Sequence, residues 1–152
     1  MNSWKSKASR RINVLKKLPK PDYGFLYFRI FCFVLATPLL LQLRLPQLRT
    51  LLESKKPQTY VDIGRIEYIL NSIDTILQIG WPVIQKQCYP RGLTLYYFLN
   101  RAGLNVGLNF GAEKINDSLS GHCWLVKDGE PFSELEDPRT HYKEIYHFPE
   151  RV

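Results

Sequence analysis

Residues 88–135, CYPRGLTLYYFLNRAGLNVGLNFGAEKINDSLSGHCWLVKDGEPFSEL, change hydrophobic rhythm once, and that change decides the fold class. From Pro90 the positions Leu93, Tyr96, Tyr97 and Asn100 continue a helical rhythm. Proline suits a first helical turn, and Gly103 supplies a C-terminal stop. Residues 104–110, LNVGLNF, then alternate as a half-buried strand does. Glu113 to Ser120 reads as a polar connection. A second strand runs from His122 to Val126, a turn at Lys127-Asp128-Gly129 follows, and a third strand runs from Pro131 to about Leu135. Helix followed by three strands predicts an α+β domain with a small antiparallel sheet.

Upstream the pattern is helical. Residues 24–54 are apolar, with Pro38 and Pro46 as expected break points, and Lys55-Lys56-Pro57 marks a loop. Ile63, Ile66, Ile69, Leu70, Ile73, Ile76 and Leu77 form one stripe ending at Gly80. Arg65, Glu67, Asn71, Ser72, Asp74 and Thr75 fall on the opposite face. Residues 25–43 approach the length of a membrane span. Arg29 and Pro38 interrupt them, so a buried helix pair kinked or broken at Pro38 is the expectation. The chain divides into a basic arm (1–20) and one domain (21–152), with a helical scaffold over 21–80 and a catalytic core over 81–152.

The net charge of +7 belongs to the arm. Residues 1–20 carry Lys5, Lys7, Arg10, Arg11, Lys16, Lys17 and Lys20 with no acid, while basic and acidic residues balance in the remainder. Such an arm is a solvated tail, or it contacts an acidic peptide partner or a membrane surface. With no basic stripe in the body and no reader motif, nucleic acid is not an expected partner. Three cysteines do not make the disulfide framework of a small secreted domain, and no signal peptide opens the chain. A cytoplasmic location is expected, with membrane association as the second possibility.

Cys88 is the candidate nucleophile. It sits beside the positive end of a helix dipole, where a thiolate is favoured and free N–H groups can receive an oxyanion. A three-residue loop closing on Gly129 would set Val126 against Glu130, Trp124 against Phe132 and His122 against Glu134. Facing residues share a side of the sheet, so Glu134 would orient the His122 imidazole. A two-residue Asp128-Gly129 loop would move Glu134 to the other side. Cys123, next to His122, should point away into the core. Asp137 is a competing orienter, Asp128 belongs to turn chemistry, and His141 and His147 attach to no motif. The cysteines and histidines lack zinc-site spacing, so no metal is expected.

The string C-Y-P-R-G-L-x-L-x-x-x-L-x-R-x-G from Cys88 to Gly103, followed by G-H-C-W-L-V-x-D-G-E-P from Gly121 to Pro131, resembles the leader-peptidase B proteins of lasso-peptide biosynthesis. These are cysteine proteases of transglutaminase-like (papain-like) fold. The resemblance is strongest over about residues 81–135. It implies that Cys88 is the nucleophile, His122 the base and Glu134 the third member, twelve residues after the histidine. Glu134 stands where the family usually has Asp, and Cys123 where it commonly has Ala. Trp124 matches the H-x-W pattern and is expected to pack beside the catalytic groups.

The implied activity is removal of the leader from a ribosomally made precursor peptide, whose core a separate cyclase then closes into a macrolactam. The family has been linked to ATP, but no Gly-rich phosphate loop is present and no cofactor is expected. Residues 1–80 look helical, without the strands of a fused leader-binding domain. A stand-alone enzyme served by a separate leader-binding protein is therefore implied, with the apolar helices or the basic arm as docking elements. A side chain of Gln85 or Gln87 is a candidate second oxyanion donor. The alternatives are an acyltransferase or transglutaminase on the same fold, and a non-catalytic module that binds a partner or a membrane surface.

Overall fold

The computed structural model describes residues 21–53, 61–79 and 88–149. The basic arm, the Lys55-Lys56-Pro57 loop, Gly80, Trp81-Pro82, Gln85 and Gln87 lie outside the described residues. Helix α1 spans Pro21–Leu40 and buries Leu26, Ile30, Val34 and Thr37 along one face. The expected break at Pro38 does not occur there, because the helix continues two residues further. Proline at 38 leaves the Val34 carbonyl without its usual N–H partner, and the Thr37 hydroxyl donates to that carbonyl at 2.6 Å. Helix α2 covers Leu45–Leu52, with Pro46 in its first turn, where the missing N–H is no loss.

Helix α3, Ile63–Gln78, starts at Asp62, whose carboxylate accepts the Arg65 N–H at 3.1 Å. It buries Ile66, Ile69, Ile73, Ile76 and Leu77 as expected. Two positions depart from the stripe: Ile63, at the helix start, is exposed, while Ser72, expected on the polar face, is buried.

Helix α4 runs Cys88–Arg101, so it already includes the cysteine and does not wait for Pro90. Leu93, Thr94, Leu95 and Leu99 are wholly buried, because α1 and α3 cover one side of this helix and the sheet covers the other. A helix enclosed in this way is apolar nearly all round. Gly103, at φ 89°, ends it: Gly103 N–H reaches the Asn100 carbonyl and Leu104 N–H the Leu99 carbonyl. The Arg101 guanidinium lies 3.6 Å from the Tyr97 ring centroid and reaches carbonyls at the end of α2, tying α2 to α4.

The sheet holds four antiparallel strands in the order β3-β2-β1-β4. Strand β1 is Gly107–Ile115, β2 Ser118–Lys127, β3 Glu130–Phe132 and β4 Lys143–Phe148. The segment Glu113 to Ser120 is thus not a connection. Ile115 pairs with Ser118, and the hairpin closes at Asn116-Asp117 with Asn116 at φ 55°. The polar C-terminal segment contributes a strand that local pattern did not reveal, with only Phe148 fully buried. Leu108, Phe110, Cys123, Leu125 and Phe148 belong to the sheet face that joins the core.

The turn after β2 overturns the expected register. Lys127 pairs with Glu130, Val126 with Pro131 and Leu125 with Phe132, which leaves a two-residue loop. Asp128 (φ 53°) and Gly129 (φ 85°) are both left-handed, the signature of the hairpin turn whose twist matches the strands. The third strand also stops at Phe132 instead of continuing to Leu135.

Candidate active site

Continued in that register, β3 would set Glu134 opposite Cys123, on the wrong side for His122. It does not continue. Ser133 adopts φ 63°, which breaks the pairing and turns the chain back. Glu134 Oε2 thereby comes 3.7 Å from His122 Nε2, an ion-pair distance longer than a direct hydrogen bond. The expected neighbours are adjacent, by a route the strand pattern did not contain. Arg91 holds the bend: its guanidinium donates to the Ser133 carbonyl (2.9 Å), the Ser133 hydroxyl (3.0 Å), Glu134 Oε1 (3.2 Å) and Asp74 Oδ1 (3.0 Å). Arg91 carried no assigned role in the sequence reading. The available signal was its place one helical turn after Cys88.

Because β3 pairs only with residues 125–127, the β2 edge at His122 and Cys123 has no neighbouring strand among the described residues. The start of α4 lies there, so Cys88 meets side chains from both faces of β2. The Cys123 thiol, on the core face, donates to the Cys88 carbonyl at 3.0 Å and favours the thiolate form of Cys88. His122, from the other face, also favours the Cys88 thiolate. Nε2 of this imidazole is the nitrogen turned to Glu134.

Electrostatics at Cys88 favour the thiolate. Its pKa falls from 9.0 to about 5, first through the hydrogen bond from Cys123, then through His122 and the Tyr89 backbone N–H, against the upward push of burial. The Cys123 thiol is pushed the other way, by its bond to the Cys88 sulfur and by burial. Burial raises the Glu134 carboxyl, opposed by the charges of Arg91 and His122.

Aromatic groups frame the imidazole. Trp124, fully buried, stacks with His122 at 6.0 Å between ring centroids, and Tyr142 lies 5.0 Å from it. A Cβ on Gly111 would lie 2.7 Å from the Trp124 ring and 2.9 Å from Tyr142 Cβ, so a bare backbone is needed there. Tyr142 was not a sequence candidate, since it comes from the polar C-terminal segment.

The remaining candidates lie elsewhere. Asp137 caps a short 3-10 turn and binds Arg139 instead of His122. Asp128 is an exposed turn residue paired with Lys127. His141 ends the 3-10 turn, and His147 on β4 meets the Asn109 side chain. Among the described residues no group of three or more His, Cys, Asp or Glu side chains is placed to hold a metal. The three cysteines are free.

A helix-borne thiol beside a strand-borne histidine, on a helical scaffold backed by an antiparallel sheet, is an arrangement suited to a cysteine nucleophile in an α+β domain. The sequence matches the transglutaminase-like superfamily over residues 31–147, and the chain belongs to that superfamily. Its members are in general cysteine peptidases or acyltransferases. Searches of curated proteins and of solved structures found no match.

Proposed function

We propose that this protein is a cysteine peptidase that removes the leader from a ribosomally made lasso-peptide precursor. The observation that carries a catalytic reading is His122 Nε2 at 3.7 Å from Glu134 Oε2, on the strand whose Cys123 thiol bonds the Cys88 carbonyl, with His122 lowering the Cys88 pKa. The two sequence blocks around Cys88 and His122, in the order and spacing of the leader peptidases, support the narrower assignment. In this reading Cys88 is the nucleophile, His122 the acid and base, and Glu134 the orienter.

The Cys88 thiolate attacks the carbonyl carbon at the leader–core junction, forming a C–S bond. The oxyanion is received by N–H groups at the start of α4, which lack intrahelical partners. As the C–N bond breaks, the His122 imidazolium gives its proton to the departing amine. Water then attacks the thioester carbon, giving a proton to His122; the C–S bond breaks, Cys88 returns as thiolate, and the leader leaves as a carboxylate.

The reading includes a separate leader-binding protein and delivery of the freed core to a macrolactam-forming cyclase. Docking would use the outer face of α1, where Phe25, Phe28 and Leu39 are each more than 60% exposed. It also places the enzyme in the reducing cytosol, where Cys88 stays a free thiol.

The test mixes the protein with precursor peptide and leader-binding partner and follows products by mass spectrometry. Wild type should release leader and core, and Cys88→Ala neither. Cleavage that survives Cys88→Ala would exclude the mechanism. An amine adduct in place of the carboxylate would reassign the protein as an acyltransferase.

A further inference from the structure

Cys123 is a nucleophilic group that the proposed reaction does not use, and it is 2% exposed. Strand alternation sends its side chain into the core, yet the open β2 edge puts its sulfur against Cys88. The sulfur occupies space that a side chain at residue 92 would fill, since a Cβ on Gly92 would lie 2.7 Å from it. Cys88 is only half-buried, so a small solute reaches it first. Cys32, the third thiol, is exposed on α1.

We propose that Cys88 and Cys123 form a disulfide site: a hydroperoxide oxidises Cys88, and Cys123 resolves the product into a reversible intramolecular bond. The inference rests on Cys88 being the reactive thiol, not on what it cleaves. The Cys88 thiolate attacks one peroxide oxygen, the O–O bond breaks, and the departing hydroxide takes a proton and leaves as water. Cys88 is then a sulfenic acid, oxidised by two electrons while the peroxide is reduced. The Cys123 sulfur attacks the Cys88 sulfur, the S–O bond breaks, and the hydroxide carries off the Cys123 proton as a second water. The bond blocks catalysis and keeps Cys88 from the irreversible sulfinic state, and a small dithiol reverses it. The low pKa of Cys88 keeps the attacking form present at neutral pH.

The full-length protein is treated with hydrogen peroxide, alkylated, digested without reductant and mapped by mass spectrometry. The expected result is a linked Cys88–Cys123 peptide pair, two hydrogens lighter than the separate peptides, with Cys32 still alkylated. Thiol reactivity at Cys88 should return with dithiothreitol. Cys123→Ala, treated with excess peroxide above pH 9.0 so that its Cys88 is thiolate, should instead carry Cys88 to sulfinic acid, and reactivity should not return. The proposal is overturned if wild-type Cys88 reaches sulfinic acid without a linked pair, or if the only linkage found joins Cys32 between chains. The wild-type map decides this even if Cys123→Ala does not fold. A linked pair in a protein that cleaves no precursor would overturn the leader-peptidase reading alone.

Discussion

At Cys88 the Cys123 thiol is the largest single influence lowering the pKa, with the hydrogen bond and charge of His122 and the Tyr89 N–H adding to it and burial opposing them. Cys123→Ala should therefore move the midpoint of Cys88 alkylation upward from about 5 toward 9.0, as read from iodoacetamide rates against pH. An unchanged midpoint would show that His122 suffices. The sign of the stability effect follows from linkage. A lowered thiol pKa contributes stability that is present above the ordinary value of 9.0 and lost as pH falls through about 5. Denaturant midpoints of wild type should fall more over that window than those of Cys123→Ala. In the proposed mechanism Glu134 orients His122, so Glu134→Gln should lower kcat on the order of 10²–10⁴-fold with a smaller change in KM. Steady-state cleavage rates check this, and an unaffected kcat would remove Glu134 from the mechanism.

The bend after β3 is where an element-level rule gives way. A two-residue loop sets one register, and strand alternation alone would then take Glu134 away from His122. One left-handed residue, Ser133, reverses that outcome, and Arg91 on α4 holds it in place. Arg91→Met leaves Asp74 and Glu134 partly buried without their shared cation, a loss of about 2–4 kcal/mol in chemical denaturation. It should also lower kcat toward the Glu134→Gln level, because the bend is no longer pinned. Full activity in a folded Arg91→Met protein would show that the bend holds itself. At the turn, Gly129 sits at φ 85°, so Gly129→Ala should cost about 1–2 kcal/mol, read as a lower thermal midpoint.

For the molecule as a whole, α1 is apolar on two sides for two reasons. Tyr23–Leu40 is long and apolar enough to cross a membrane, yet Leu26, Ile30 and Val34 on one face belong to the core. The opposite face leaves Phe25 and Phe28 in the open. Replacing both with Ser should reduce partner-dependent precursor cleavage several-fold, with Cys88 alkylation unchanged and stability altered by about 0.5 kcal/mol or less. Equal cleavage rates would place the partner elsewhere. Local sequence determined much of this protein. Periodicity marked α3 and α4, Gly103 marked a helix end, and Cys88 and His122 stood out through a helix start and a strand beside a turn. These are short-range signals, set by backbone sterics and by which side chains must leave water. Tertiary structure alone decided how the acid reaches the histidine, since that depends on a left-handed Ser133 pinned from a distant helix. It also decided that the polar segment around Tyr146 becomes a strand, because an edge strand takes its order from pairing with β1 and not from a pattern of its own. The contact of Cys123 with Cys88 has the same origin: alternation tells which face a side chain takes, and only packing tells what waits there.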